Sequence, residues 1–202
     1  TDPRRAGAAG CMGDIGTHAE QLGRYITGLE IDEICADLTT FVPGRQLEDD
    51  GAVLIHYVGG ARGILYASQI CTGAENGLAI HVYGTEGAVA WRQEAPNHLH
   101  FWSAEGPEHI LKRGGSDLCP SARRASRVPG GHPEGFVEAF ANIYLNATDT
   151  MRARIMGREP SALELDFPTV YDGARGVYFI EKVIESGKSS AKWTPAHWRP
   201  GN

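Results

Sequence analysis

Two side chains that can exchange protons stand close together near the start of the chain. Asp14 and His18 are four residues apart in the stretch Gly10-Cys11-Met12-Gly13-Asp14-Ile15-Gly16-Thr17-His18. If this stretch begins a helix, residues four apart lie on one face, and the carboxylate and imidazole share the same space. Histidine titrates near neutral pH, which suits general acid–base work. The spacing therefore predicts a pair that moves a proton to or from a substrate hydroxyl.

A helix is needed to position this pair, and residues 14–27 have the required periodicity. Its apolar positions are Ile15, Leu22, Tyr25 and Ile26. Gly28 follows as a C-terminal stop. The alternative is that Asp14 only caps the helix, because aspartate is a preferred N-cap residue, and that His18 is packed or solvated. The spacing alone leaves both interpretations open.

Beyond this helix the chain changes to short strands separated by glycine-rich turns. Strand-like segments cover residues 29–38, 52–58, 63–71, 78–83, 88–91, 98–102 and 109–112. Hairpin signals such as Gly59-Gly60 favour antiparallel pairing over βαβ units. After a long loop at residues 113–131, helical periodicity returns over residues 136–156 and 168–187. We predict an α+β fold with an open, mostly antiparallel sheet, helices packed on one face and the other face available for oligomerisation.

Composition excludes several classes of partner. The chain has 202 residues, a net charge of −6 and a pI near 5.7, so we expect no nucleic-acid partner. No apolar run approaches the roughly 18 residues of a membrane span, so we expect no membrane partner. The four cysteines are far apart and form no Cys-x-x-Cys pair. They favour free thiols, a cytoplasmic location and no metal site.

Four stretches resemble one enzyme family. Asp14-Ile15-Gly16-Thr17-His18 is similar to the D-x-G-x-H helix motif of the glucose–fructose oxidoreductase/inositol dehydrogenase (Gfo/Idh/MocA) family. Residues 80–87, residues 131–136 leading into 138–140, and residues 167–173 resemble further stretches of that family's C-terminal domain. Their order and spacing also fit, so the resemblance covers nearly the whole chain.

The resemblance implies a two-domain oxidoreductase. In the family, a Rossmann domain binds NAD or NADP and carries a Glu-Lys-Pro motif, and an α+β domain binds substrate and forms oligomers. This sequence has no Gly-x-Gly-x-x-Gly among its 26 glycines, and Glu181-Lys182 is followed by Val183. We therefore expect residues 1–202 to be a single substrate-binding and oligomerisation domain, inactive and without dinucleotide on its own. The N-terminal Rossmann domain of a longer chain, which the start at Thr1 without a methionine also suggests, would supply NAD or NADP.

The same resemblance implies roles for individual residues. His18 would be the acid/base, and Asp14 would hold a hydroxyl of a sugar or polyol substrate or orient the imidazole. Thr17 and His132 would be substrate contacts. For His132 the alternative is turn chemistry before a helix, with Pro133 at the first helical position.

Two other functions remain open from the residues. The domain could be a sugar-binding or interaction module without chemistry of its own. It could also be a metal-dependent isomerase-like or hydrolase domain, since His98 and His100 share one face of a strand. No carboxylate or cysteine of matching spacing accompanies them, which favours a solvated strand face.

Overall fold

The structure is a computed structural model that describes residues 2–199; Thr1 and residues 200–202 lie outside the described part. Its helices are α1 (Pro3–Ala6), a π-helical turn (Met12–Gly16), α2 (Thr17–Thr27), α3 (Pro120–Ala125), α4 (Phe136–Ile155) and α5 (Val170–Lys188). Its strands are β1 (Ile31–Thr39), β2 (Asp50–Tyr57), β3 (Arg62–Ser68), β4 (Ala79–Tyr83), β5 (Gly87–Arg92), β6 (His98–Ser103), β7 (Glu108–Lys112) and β8 (Thr194–Pro195). The chain divides into two compact units, residues 1–75 with 170–202 and residues 76–169, called the first and second unit below.

The first unit is a four-stranded antiparallel sheet in the order β3-β2-β1-β8, with helices on one face. Successive side chains of a strand point to opposite faces. Accordingly β2 buries Val53 and Ile55 but leaves Leu54 44% exposed. The two buried side chains join Phe179 and Val183 of α5 in one apolar cluster. Burial of this cluster is the main stabilising contribution to the first unit.

The β2–β3 hairpin turns at the predicted Gly59-Gly60 pair. Both glycines have positive φ angles, +88° and +100°, which L side chains rarely adopt. The turn sets a register in which Leu54 lies opposite Ile64. These two side chains stand on the sheet face that the helices leave uncovered, where Ile64 is 77% exposed.

The second unit is a separate four-stranded antiparallel sheet in the order β4-β5-β6-β7, with α3 and α4. One face of this sheet, with Trp91, Leu99 and Leu111, lines an open cavity of about 750 Å³ together with residues of α3 and α4. No helix in the described part of the chain is long and apolar enough to cross a bilayer.

The predicted α+β class with open, antiparallel pairing is confirmed. The strands fall into two sheets, which the alternating pattern could not show because it does not say which strands pair. The helix expected to start at Asp14 begins earlier, with the π-helical turn at Met12, and becomes α-helical at Thr17.

Candidate functional site

The π-helical turn that carries Asp14 is anchored by a buried glutamate. Oε1 of Glu48 accepts hydrogen bonds from the backbone amides of Gly10 (2.6 Å) and Met12 (3.2 Å). The amide of Cys11 donates to the Glu48 carbonyl at 3.0 Å. The start of a helix leaves amides without intrahelical partners, and a negative charge there is favourable. Glu48 is only 8% exposed, so it satisfies these amides away from water.

The same turn requires glycine at position 10. A Cβ atom on Gly10 would lie 2.0 Å from the carbonyl oxygen of Glu48, a distance that no side chain can occupy. The carbonyl of Gly10 accepts from the amide of Asp14 at 3.1 Å. The amide of Thr17 donates to the carbonyl of Met12, five residues earlier, which gives the turn its π-helical form. Close backbone packing at Gly10 therefore adds to the Glu48 hydrogen bonds in setting the position of Asp14.

Two fully buried side chains, Cys11 and Met12, anchor the turn in the apolar cluster of the first unit. The Cys11 thiol donates to the carbonyl of Ala67 at 3.4 Å. Burial raises the pKa of Cys11 to about 12, and the negative charges of Glu48, Asp50 and Asp49 act in the same direction. The thiol thus stays protonated at neutral pH and serves as a small buried side chain rather than a nucleophile.

Asp14 itself is exposed, and its carboxylate is held by a residue distant in sequence. Nε2 of Gln69 donates to Oδ2 of Asp14 at 3.0 Å. Gln69 follows the end of β3, and its backbone amide donates to the carbonyl of Asp49 at 2.8 Å. Asp14 caps no helix in the described structure, so the capping alternative does not apply.

Asp49, which holds Gln69 in place, is itself rigid. Its side chain is fully buried. Its carboxylate accepts from the backbone amides of Phe41 (2.8 Å) and Val42 (3.0 Å) and pairs with Arg45 at 3.3 Å. The Phe41 amide is the main reason why the pKa of Asp49 lies below its ordinary value. Adjacent residues Glu48 and Asp49 therefore fix both sides of the Asp14–Gln69 contact.

Asp14 and Gln69 line an open cleft of about 740 Å³ within the first unit. On the side of the π-helical turn the lining also includes Gly10, Gly13 and Thr17; on the side of α5 it includes Gly173, Gly176, Val177 and Ile180. Thr17 lies where the two helices approach, because a Cβ on Gly176 would be 3.1 Å from its hydroxyl oxygen. The volume falls in the range of small-molecule sites.

His18 is exposed at the start of α2 but is not part of this cleft's lining. Among the described residues neither His18 nor Asp14 has a further hydrogen-bond partner. The structure therefore brings together Asp14 and Thr17 of the predicted site and leaves the imidazole free beside them.

An ion-pair network holds α2 against α5. Arg24 contacts Glu20 at 3.1 Å and Asp172 at 2.8 Å. Burial raises the pKa of Glu20, which is 6% exposed. These contacts position the helix that carries Thr17 and His18.

His132 belongs to the second unit, and its surroundings are polar. The Arg113 guanidinium donates to the carbonyls of His132 and Val128 and pairs with the buried Glu134 at 2.8 Å. The imidazole is exposed and lies 3.3 Å from the carbonyl of Pro129. The alternative that places Pro133 at the first position of the following helix is wrong, because α4 begins at Phe136.

On β6, His100 pairs with a single carboxylate. Nδ1 of His100 lies 2.5 Å from Oε1 of Glu108 on the paired strand β7, a carboxylate that sequence spacing did not reveal. Within residues 2–199, no three His, Cys, Asp or Glu side chains are grouped as metal ligands would be.

Comparison with known proteins relates this chain to one enzyme family. Residues 1–90 match the model of the GFO/IDH/MocA C-terminal domain. The chain is 31% identical over 194 residues to the uncharacterized oxidoreductase YfiI of Bacillus subtilis (strain 168), covering 95% of this chain and 49% of that protein. Residues 1–90 belong to a C-terminal domain of the Gfo/Idh/MocA family.

Similar solved structures extend the comparison. An oxidoreductase from Sinorhizobium meliloti superposes with a TM-score of 0.85 at 41% identity, covering 91% of this chain and 51% of its own. An inositol dehydrogenase homolog from Azotobacter vinelandii, complexed with NADH and myo-inositol, gives a TM-score of 0.85 at 31% identity, covering 95% and 51%. The chain spans about half the length of each relative.

Sequence reasoning missed Gln69, Glu48 and Asp49. Gln69 lies 55 residues from Asp14 and directly after a strand, where its side chain carries no motif. Residues 46–50 lie between two predicted strands, where the sequence pattern predicts no element. The one available signal was three consecutive acidic residues, Glu48-Asp49-Asp50, directly after the apolar Leu47.

Proposed function

We propose that this chain is the substrate-binding part of an NAD- or NADP-dependent oxidoreductase that acts on a secondary alcohol of a sugar or polyol. The observation that carries the proposal is the exposed Asp14 carboxylate, held by Gln69 at 3.0 Å on the lining of an open cleft. Support comes from the family and from the relative bound to NADH and myo-inositol.

Oxidation of the alcohol requires that a hydride leave carbon and a proton leave oxygen. A nicotinamide cofactor accepts the hydride when it is bound. In this chain Asp14 and Thr17 bind substrate hydroxyls in the cleft, and the free imidazole of His18 accepts the proton. For His132, which belongs to the second unit, a contact to a substrate hydroxyl stays a prediction.

The cofactor belongs to another part of the protein. The strand pairs of residues 2–199 are antiparallel, whereas a dinucleotide crevice of the Rossmann type needs parallel βαβ units. We propose that residues 1–202 act as one substrate-binding and oligomerisation domain, joined to an N-terminal Rossmann domain in a longer chain. This chain alone would then show no dehydrogenase activity.

Kinetics on the full-length protein test this proposal. NADH formation is followed with NAD⁺ and myo-inositol for the Asp14→Asn and His18→Asn variants. Each should lower kcat/KM about 100-fold or more, the usual scale for an acid–base group or a lost contact to a charged residue. The matched controls, Asp37→Asn and His109→Asn, replace exposed residues outside the site and should stay near wild type.

Two results would count against the proposal. Near-normal turnover in the Asp14 and His18 variants would remove both residues from the mechanism. Binding of the polyol to the cofactor-loaded protein without any turnover would support the alternative, a sugar-binding module of the same fold.

We also propose a homodimer formed through the open face of the first unit's sheet. Leu54 and Ile64 lie opposite each other there, and Tyr66 on the same face is 54% exposed. Contiguous exposed apolar side chains of this kind mark interfaces. Sedimentation should show a dimer that Ile64→Lys converts to a monomer, whereas Ile155→Lys on α4, an equally exposed isoleucine, should have no effect. A wild-type monomer at high concentration would contradict the dimer.

A cytoplasmic location completes the proposal. All four cysteines are unpaired in the structure. Free thiols persist in a reducing compartment. Thiol labelling of the protein taken directly from lysed cells should modify the exposed Cys119; a blocked thiol there would contradict this location.

A further inference from the structure

We propose that Gln69 is a specificity-determining residue, which together with Asp14 recognises two neighbouring hydroxyl groups of the substrate. The inference rests on the proposed function of the cleft. It starts from the 3.0 Å hydrogen bond between Nε2 of Gln69 and Oδ2 of Asp14, which connects the end of β3 to the π-helical turn.

The chemistry of the two groups fixes their orientation. An ionised carboxylate only accepts hydrogen bonds, so the amide of Gln69 must turn its NH₂ group to Asp14. The amide oxygen then points away from Oδ2. Within the described residues, neither this oxygen nor Oδ1 of Asp14 has a hydrogen-bond partner, although both side chains line the cleft. The contact leaves two free acceptors on residues that both line the cleft.

The spacing of these acceptors is set by the backbone. Gln69 is tied to the carbonyl of Asp49 at 2.8 Å, and the turn carrying Asp14 is tied to Glu48 at 2.6 Å. Glu48 and Asp49 are adjacent and buried. The backbone on both sides of the contact is therefore fixed, and the hydrogen bond between the two side chains restricts their rotation, which lowers the conformational entropy lost when a ligand binds.

The rest of the lining suits a cyclic polyol. Thr17 adds a hydroxyl group that donates or accepts, while Val177 and Ile180 provide apolar surface on the side of α5. A vicinal diol places two O–H donors against two fixed acceptors. An alcohol without the neighbouring hydroxyl leaves one acceptor unpaired, and sites built around a hydroxyl reject such analogues strongly.

The experiment compares myo-inositol with its monodeoxy derivatives in the full-length protein with NAD⁺. The wild type should prefer myo-inositol, in kcat/KM, by about 10- to 100-fold over the analogue that lacks the hydroxyl next to the reacting carbon. Gln69→Leu and Gln69→Met keep the size of the side chain but remove its hydrogen-bonding groups. Both should reduce this preference to within about threefold, mainly by slowing myo-inositol. Gln46→Leu, the same change at an exposed glutamine, should preserve it.

The outcomes separate this inference from the proposed function. If Asp14→Asn abolishes turnover but the Gln69 variants keep the wild-type preference, Gln69 has no role in specificity and only this inference is wrong. A wild type that does not distinguish the deoxy analogues would also overturn it. If Asp14→Asn turns over normally, the proposed function fails first. Urea unfolding of each variant verifies that the first unit is folded.

Discussion

Replacing Glu48 by leucine should destabilise the π-helical turn and expose the backbone amides of Gly10 and Met12 to hydrogen exchange. Oε1 of Glu48 accepts two backbone amides, at 2.6 and 3.2 Å, from an almost fully buried position. Each hydrogen bond to a charged group contributes about 1.5–3 kcal/mol, and an anion at a helix start adds about 0.3–1 kcal/mol. Leucine regains part of this by burying apolar surface. We therefore expect a net loss of about 3 kcal/mol in the free energy of unfolding.

A conservative variant separates charge from hydrogen bonding. Glu48→Gln keeps an acceptor oxygen but loses the negative charge. It should therefore lower the free energy of unfolding by about 1–1.5 kcal/mol, which is the difference between a charge-assisted and a neutral hydrogen bond. Glu105→Gln replaces an exposed glutamate and should change stability by no more than about 0.5 kcal/mol.

Two measurements on the 202-residue chain test the Glu48 prediction. Urea unfolding followed by circular dichroism gives the total loss, and amide hydrogen exchange at Gly10 and Met12 shows whether the loss is local. Exchange at both amides should accelerate by at least 100-fold in Glu48→Leu, the kinetic equivalent of about 3 kcal/mol. A loss below about 1 kcal/mol, or unchanged exchange at these amides, would refute the reasoning.

Three further predictions concern single residues of the two units. Gly10→Ala should destabilise the chain by several kcal/mol, because the new Cβ would lie 2.0 Å from a carbonyl oxygen. Gly23→Ala in α2 has open space around the new Cβ and should stabilise the chain by about 0.5–1 kcal/mol. Urea midpoints that shift in the same direction in both variants would contradict this prediction. Burial raises the pKa of Glu20, so the stability that its neutral form contributes is present at low pH and declines as pH rises through that pKa. Glu20→Gln should flatten this decline in unfolding measured from about pH 4 to about pH 8, and an unchanged slope would disprove it. Iodoacetamide should label exposed Cys119 in the native chain and Cys11 only after unfolding; early labelling of Cys11 would show that the turn opens readily.

The sequence predicted those features that depend on residues close together in the chain. Gly59-Gly60 predicted the β2–β3 turn because positive φ angles select glycine. The three-to-four-residue periodicity predicted α4 and α5, and alternation predicted most strands. The division into two sheets followed no local signal, since a period of two residues does not say which strands pair.

The candidate site was predictable only in part, and for the same reason. Asp14 stood out by motif and by residue type, and Thr17 was predicted as a substrate contact in the same stretch. Gln69 did not, because its importance comes from a contact made across 55 residues. Glu48 likewise gains its role from amides that only the folded turn presents to it. His18 shows the limit of a spacing argument, since it lies beside Thr17 in sequence but outside the cleft's lining.

The central claim is that Asp14 in this cleft binds a substrate hydroxyl. A crystal structure of the full-length protein with NADH and myo-inositol tests it most directly. We predict a polyol hydroxyl within hydrogen-bonding distance, about 2.6–3.2 Å, of Oδ1 of Asp14, with Gln69 still bound to Oδ2. A polyol bound without contact to Asp14, in an otherwise unchanged first unit, would contradict the account.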